Sequence, residues 1–218
     1  MNVEELFLKL SYGELSNLDV AVEGTGTIKT EKHPAMIHHA NEALKRLYSR
    51  FLLSEKSELV PMVESTTEYS LAAEDILRVL AIYSAYGHSI RFETTQQPYA
   101  VTVRGRTLLV PIIDKDGPVH PGSQIEVVYQ AKHPVLTYTN DPAVDLAQEI
   151  VVPDSLEEAL TAYVASQVYK NMNTPEALTA AAGHYSRFEQ VCAEVERERL
   201  VGSGAVTTNT KFSDRGWA

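Results

Sequence analysis

Residues 154–201, DSLEEALTAYVASQVYKNMNTPEALTAAAGHYSRFEQVCAEVERERLV, are the most regular stretch of the chain, and the rest must attach to them. Asp154 and Glu157 have the D-x-x-E spacing of a capping box, in which each side chain answers an unpaired backbone N–H at a helix start. Apolar residues then recur at Leu156, Leu160, Tyr163, Val164, Val168 and Met172, the spacing of one helical face. Asn171 to Thr174 interrupts the run, and Pro175 suits the first turn of a second helix. That helix carries Leu178, Ala181, Ala182, Tyr185, Phe188, Val191, Cys192 and Val195 on one stripe. Two helices joined by so short a link are expected to lie antiparallel. Alanines at 162, 165, 177 and 180–182 let their backbones approach closely. The stretch predicts architecture and carries no chemistry of its own.

Bulk properties narrow the class. A chain of 218 residues can bury a sizeable core within one domain. It is 44% hydrophobic and 22% charged, ordinary values for a folded protein. No apolar run is long enough to span a bilayer, and the N-terminus lacks a basic-then-apolar signal, so assembly in the cytosol and no membrane partner are expected. The single cysteine, Cys192, excludes an intramolecular disulfide and a multi-cysteine metal site, and its place on the apolar stripe reads as core. A net charge of −10 argues against gripping duplex DNA through its phosphates. The same charge is compatible with standing beside DNA, since an acidic surface repels phosphates.

Outward from the hairpin, Val3, Leu6, Phe7 and Leu10 predict an amphipathic first helix within residues 2–16, ended by Gly13. Residues 17–33 read as a loop or irregular extended segment. Pro34 opens a helix with Ile37, Ala40, Leu44, Leu47, Tyr48 and Phe51 on one face; Arg46 and Arg50 lie off it, solvated or paired. LVPMVES and TTEYSL, within residues 53–73, suggest short extended pieces, with Pro61 barring a helix interior. Asp75 to Tyr86 fits helix or buried strand; a helical turn passing into a strand at about Val79–Tyr83 is the preferred reading. Residues 100–105, 107–112 and 124–132 are rich in β-branched side chains, and the DKDGPVHPG turn separates the last two. Together they predict a small antiparallel sheet. The fold class is therefore α+β, mainly α: one domain over 1–201, with a helical body at 1–52 and 154–201 and a β insertion at about 76–135.

Beyond Val201 the composition changes to GSGAVTTNTKFSDRGWA, an extended tail over 202–218 that cannot build a core alone. Phe212 and Trp217, with Lys211 and Arg215 around them, are residue types that anchor interfaces, and partner binding is assigned to these four. A tail folded back onto its own domain is the alternative.

A search for catalytic chemistry is negative. The chain has no Gly-rich phosphate loop, no G-x-S-x-G elbow and no H-E-x-x-H. His38 and His39 are adjacent, so on a helix they point about 100° apart and cannot face one ion. His33, His120 and His133 fall in loops or turns. Asp114-Lys115-Asp116-Gly117 resembles the start of a calcium loop but lacks its remainder, so a hairpin turn is the better reading. Asp141 and Asp145 are explained by a turn and a short helical start, and the charges at 194–199 by a solvated helix end. The tyrosines fall mainly in periodic segments, as core-edge residues would. No catalytic, cofactor or metal residues are assigned, and no enzymatic activity is expected.

The order of features, carried by SLEEALTAYVASQVYKNMNTPEA, HYSRFEQVCAEVE, HANEALKRLYSRF, DILRVLAIYSAYG before LLVPI, and KFSDRGWA, resembles the head-to-tail adaptor (head completion) proteins of tailed bacteriophages. The resemblance covers most of the chain as a pattern and brings no catalytic motif. It implies a dodecameric ring in the virion neck, docked on the portal and bridging to tail or neck proteins, with genomic DNA passing through unread. The tail would reach the portal, the hairpin would form the ring body, and the sheet or its loop would face the next component or the lumen. A tail-completion or stopper component, or a ligand-binding or enzymatic domain, is the alternative.

Overall fold

The computed structural model describes residues 1–22, 25–64, 66–93, 100–111, 119 and 122–201. The protein is α+β, and its chain divides into two compact units, one of residues 1–53 and 133–201 and one of 54–132.

The first unit is helical. Helix α1 (Val3–Tyr12) begins with a capping box in which Asn2 accepts from the Glu5 N–H at 2.8 Å and the Glu5 carboxylate accepts from the Asn2 N–H at 3.0 Å. Gly13 ends it, as the sequence predicts. Residues 17–33 contain more order than expected: a two-residue hairpin, β1 (Ala21–Val22) with β2 (Thr27–Ile28), then a 3₁₀ turn at Thr30–Lys32. Gly26 in that hairpin has φ +70°, and a Cβ there would fall 2.3 Å from the Tyr12 ring, so glycine is required twice over. Helix α2 (His33–Arg50) has Pro34 in its first turn and buries Ile37, Ala40, Leu44, Leu47 and Tyr48, with Phe51 buried just beyond its end.

Helices α4 (Asp154–Met172) and α5 (Pro175–Glu198) form the expected pair. Asn173 in the left-handed conformation ends the first, and Thr174 caps the second through the Ala177 N–H at 3.2 Å. Tyr169 stacks on His184 while Tyr163, six residues earlier, meets Phe188, four residues later, so the helices run antiparallel. Two expectations need correction. Pro153, not Asp154, occupies the N-cap of α4, and no side chain caps that helix; Glu157 instead pairs with Lys9 of α1. Nor does α4 bury a single face. Leu156, Ala159, Leu160, Ala162, Tyr163, Val164, Ala165 and Val168 are all buried, because α1, α2 and α5 pack around it, whereas Met172 is 48% exposed. On α5 the stripe is buried at Ala181, Phe188, Val191, Cys192 and Val195 but open at Leu178, Ala182 and Tyr185.

Within the helical unit, residues 133–153 run across the helices as an extended segment with one short helix, α3 (Pro142–Leu146), capped by Asp141. His133 is buried edge-on against Tyr48, 5.3 Å between centroids. Its Nε2 accepts the Val151 N–H at 3.1 Å and its Nδ1 meets the Pro134 carbonyl, which fixes a neutral ring with the proton on Nδ1.

The second unit is built from two sheets that share one apolar core, including Leu71, Ile82, Leu108, Ile125 and Val127. One sheet is antiparallel, ordered β3 (Glu55–Pro61), β9 (Gln124–Ala131), β5 (Ile76–Ser84). The other is ordered β4 (Glu68–Ser70), β8 (Thr107–Leu109), β7 (Val101–Arg104), β6 (Phe92–Glu93), and its last pair is parallel. The single antiparallel sheet expected from the sequence is thus two sheets, and strand pairing carries the β region back to Glu55. The helical turn expected at the start of Ile76–Ser84 is strand throughout, with irregular register between Ile76 and Arg78 and between Val79 and Ala81. Of the DKDGPVHPG turn, only Val119 and Gly122 lie within the described residues.

Candidate functional site

Helix α2 turns two arginines outward, one helical turn apart, toward α5. Arg50 is fully engaged: Nε and Nη2 bond the two carboxylate oxygens of Glu196 at 2.8 and 3.0 Å, and Nη1 bonds Glu189 at 2.7 Å. This fork holds the Arg50 proton more tightly than in free arginine and lowers the Glu196 carboxyl below its ordinary value, chiefly through the hydrogen bond. Arg46 is engaged only at its inner edge. Its Nε donates to the Tyr163 hydroxyl at 2.7 Å, and its guanidinium carbon lies 5.2 Å from the Tyr163 ring centroid. Tyr163 in turn sits edge-on to Phe188 at 5.2 Å and tilted to Tyr185 at 6.4 Å.

These side chains shape an open groove of about 450 Å³ between α2 and α5, lined by Glu42, Lys45, Arg46, Ser49, Arg50, Phe188 and Glu189. Its walls are charged, three cations against two carboxylates; Phe188, the aromatic residue that lines it, is buried, and the exposed ring of Tyr185 stands beside Phe188, 5.7 Å between centroids. Lys45 and Arg46 have no ion-pair partner among the described residues. The groove offers a positive rim with an exposed tyrosine beside it, the features of a recognition surface. Sequence reasoning assigned Arg46 and Arg50 only to solvent or pairing; the signal for a groove was their i, i+4 spacing facing the Tyr185/Phe188 pair.

The residues to which partner binding was assigned, Lys211, Phe212, Arg215 and Trp217, lie outside the described residues. Cys192 is buried under the Arg50 fork, and burial pushes its thiol up to about 11. Among the described residues no group of three or more His, Cys, Asp or Glu is arranged to hold a metal, and no helix is long and apolar enough to cross a membrane. Asp145 is wholly buried; its Oδ1 accepts from the Thr139 N–H and hydroxyl, both at 2.8 Å. It pins the crossing segment of the helical unit.

The structure thus joins a helical body with an inserted pair of sheets and an open, charged groove on the helices. The profile of the SU10 adaptor protein family matches residues 11–209, so the chain belongs to that family of phage head-to-tail adaptors. No curated protein matches the chain.

Proposed function

We propose that the chain is a ring-forming structural protein of the virion neck, assembled in the host cytoplasm, that docks on the portal and joins the capsid to the tail. The observation that carries this reading is the family match over residues 11–209, which spans both the helical body and the sheets. In this reading the ring is dodecameric, has no enzymatic activity, and surrounds genomic DNA without reading it. The net charge of −10 favours that role, because an acidic lumen repels phosphates instead of holding them. Residues 202–218 reach the portal, with Phe212 and Trp217 as apolar anchors and Lys211 and Arg215 as their polar partners.

Light scattering of the purified chain, alone and with a candidate portal ring, tests this. One saturable large complex, lost on truncation after Val201, is the expected result. A chain that ignores the portal but binds tail components would replace the reading with that of a tail-completion or stopper protein.

A further inference from the structure

The α2–α5 groove is a surface that the tail-to-portal docking proposed above leaves unused. Its two unpaired cations, Lys45 and Arg46, stand out on a chain whose net charge is −10. Arg46 is also held ready, since the Tyr163 hydroxyl fixes its Nε and the aromatic ring backs its guanidinium. Little rotamer entropy remains to be lost when a carboxylate arrives.

A matching surface exists on the same unit. Residues 4, 8 and 12 of α1 lie one above another at i, i+4 and i+8, opposite the buried face of Val3, Leu6, Phe7 and Leu10. Glu4, Glu5, Leu8 and Tyr12 are all exposed, Leu8 by 47% and Tyr12 by 65%. The outer face of α1 thus presents two large apolar side chains flanked by two carboxylates, and Glu4 has no ion pair among the described residues. Apolar anchors at i and i+4 entering a groove are a recurring mode of helix recognition. Both partners are needed for the fit: the anchors for the exposed Tyr185 ring beside the groove, the carboxylates for Lys45 and Arg46.

We propose that the α2–α5 groove receives the outer face of α1 from a second copy of this chain. The proposal rests on the assembly reading above and deepens it by naming the subunit contact. Groove and α1 face share no residue, so the contact is heterologous and leaves one free groove and one free α1 face at the ends of any open chain of copies. Repetition of such a contact closes into a ring or extends as a filament. Because its charge pairs lie at a solvated rim, salt weakens it.

The test uses the full chain and complementary blocking. Lys45→Glu/Arg46→Glu spoils the groove and spares α1; Glu4→Ala/Leu8→Asp spoils the α1 face, leaves it repelled by the altered groove, and spares its own groove. Sedimentation should show each variant weakened in self-association at least about tenfold relative to the wild type. An equimolar mixture should form a dimer that stops there, because only one good groove and one good face remain. Melting curves near the wild type's show that the variants are folded. As a second readout, Glu4→Cys/Lys45→Cys should give a ladder of covalent multimers on oxidation, while either single variant gives dimers at most. Variants that associate like the wild type, a mixture that stays monomeric, or a wild type that does not associate together with a double-cysteine variant that yields no ladder each overturn the contact. Portal binding is read separately: a groove variant that still docks on portal rings as single copies leaves the adaptor reading intact, and a wild type that associates but ignores the portal overturns that reading alone.

Discussion

Arg50 reaches from α2 to two carboxylates of α5, and its side chain is only 28% exposed, so the pairing is better shielded than most surface ion pairs. Arg50→Met should cost about 1–3 kcal/mol, since it removes a bidentate charge-assisted bond and leaves Glu189 and Glu196 facing each other. Glu196 titrates below its ordinary 4.5 when folded. The stability it contributes is therefore whole above about pH 4.5 and is lost as the pH falls through the lowered folded value. Thermal melts of wild type and Arg50→Met should differ at neutral pH and converge in acid; an offset that persists in acid would show that packing of the arginine stem, not charge, is what matters. His133 has the same sign for a different reason. Burial lowers its pKa below 6.5, and its Nε2 must stay unprotonated to accept the Val151 N–H. Protonation in the unfolded chain therefore draws stability down as the pH falls below about 6.5. His133→Gln, whose amide oxygen can accept the same N–H, should flatten that part of the pH–stability curve.

The elements show where local pattern carries the fold and where it misleads. Helices α1, α2 and α5 are legible because each has an apolar period near 3.6 and a punctuating residue, Gly13, Pro34 or Pro175, at an end, and α4 because it runs unbroken to Asn173 although it is buried on more than one face. The strand Ile76–Ser84 is not. Its two register shifts each add a residue to β5, so the buried apolar positions become Ile76, Val79 and Ile82. A spacing of three residues imitates a helix, and the partner strand that settles the matter lies more than forty residues on, at Gln124–Ala131. The D-x-x-E at the start of α4 misleads for a simpler reason: spacing alone does not say whether Asp154 stands before the helix or within it. The box that does form, Asn2 with Glu5, has the same spacing at the start of the first helix. Asn2→Ala should accordingly lower stability by about 1 kcal/mol, and Asp154→Ala should lower it by no more than a few tenths. Chemical denaturation of the two variants side by side checks this, and equal losses would contradict the capping assignment. The groove was the least legible feature, because Arg46, Tyr163 and Phe188 converge from three helices and no window of sequence contains them.

At the scale of the whole molecule, the chain leaves the helical body and returns to it through neighbouring strands. Glu55 pairs with Gln130, and the Ser54 carbonyl accepts the Ala131 N–H at 3.0 Å, so the two ends of the 54–132 unit lie side by side. Hydrogen-bonded strand partners are only about 5.5 Å apart, a gap that a few glycine and serine residues close. The helical unit, 1–53 with 133–201, has its own buried residues from Val3 to Val195, and the sheets have theirs. Replacing 54–132 by a short Gly/Ser linker should therefore leave a body that melts cooperatively with its helical circular dichroism intact. It should also keep the Arg46–Tyr163 groove and the α1 face, and so self-associate with the salt sensitivity of the full chain. A body that loses its helices would show that the sheets complete its core. One that folds but stays monomeric under conditions where the full chain assembles would move the subunit contact out of the helices and into the sheets.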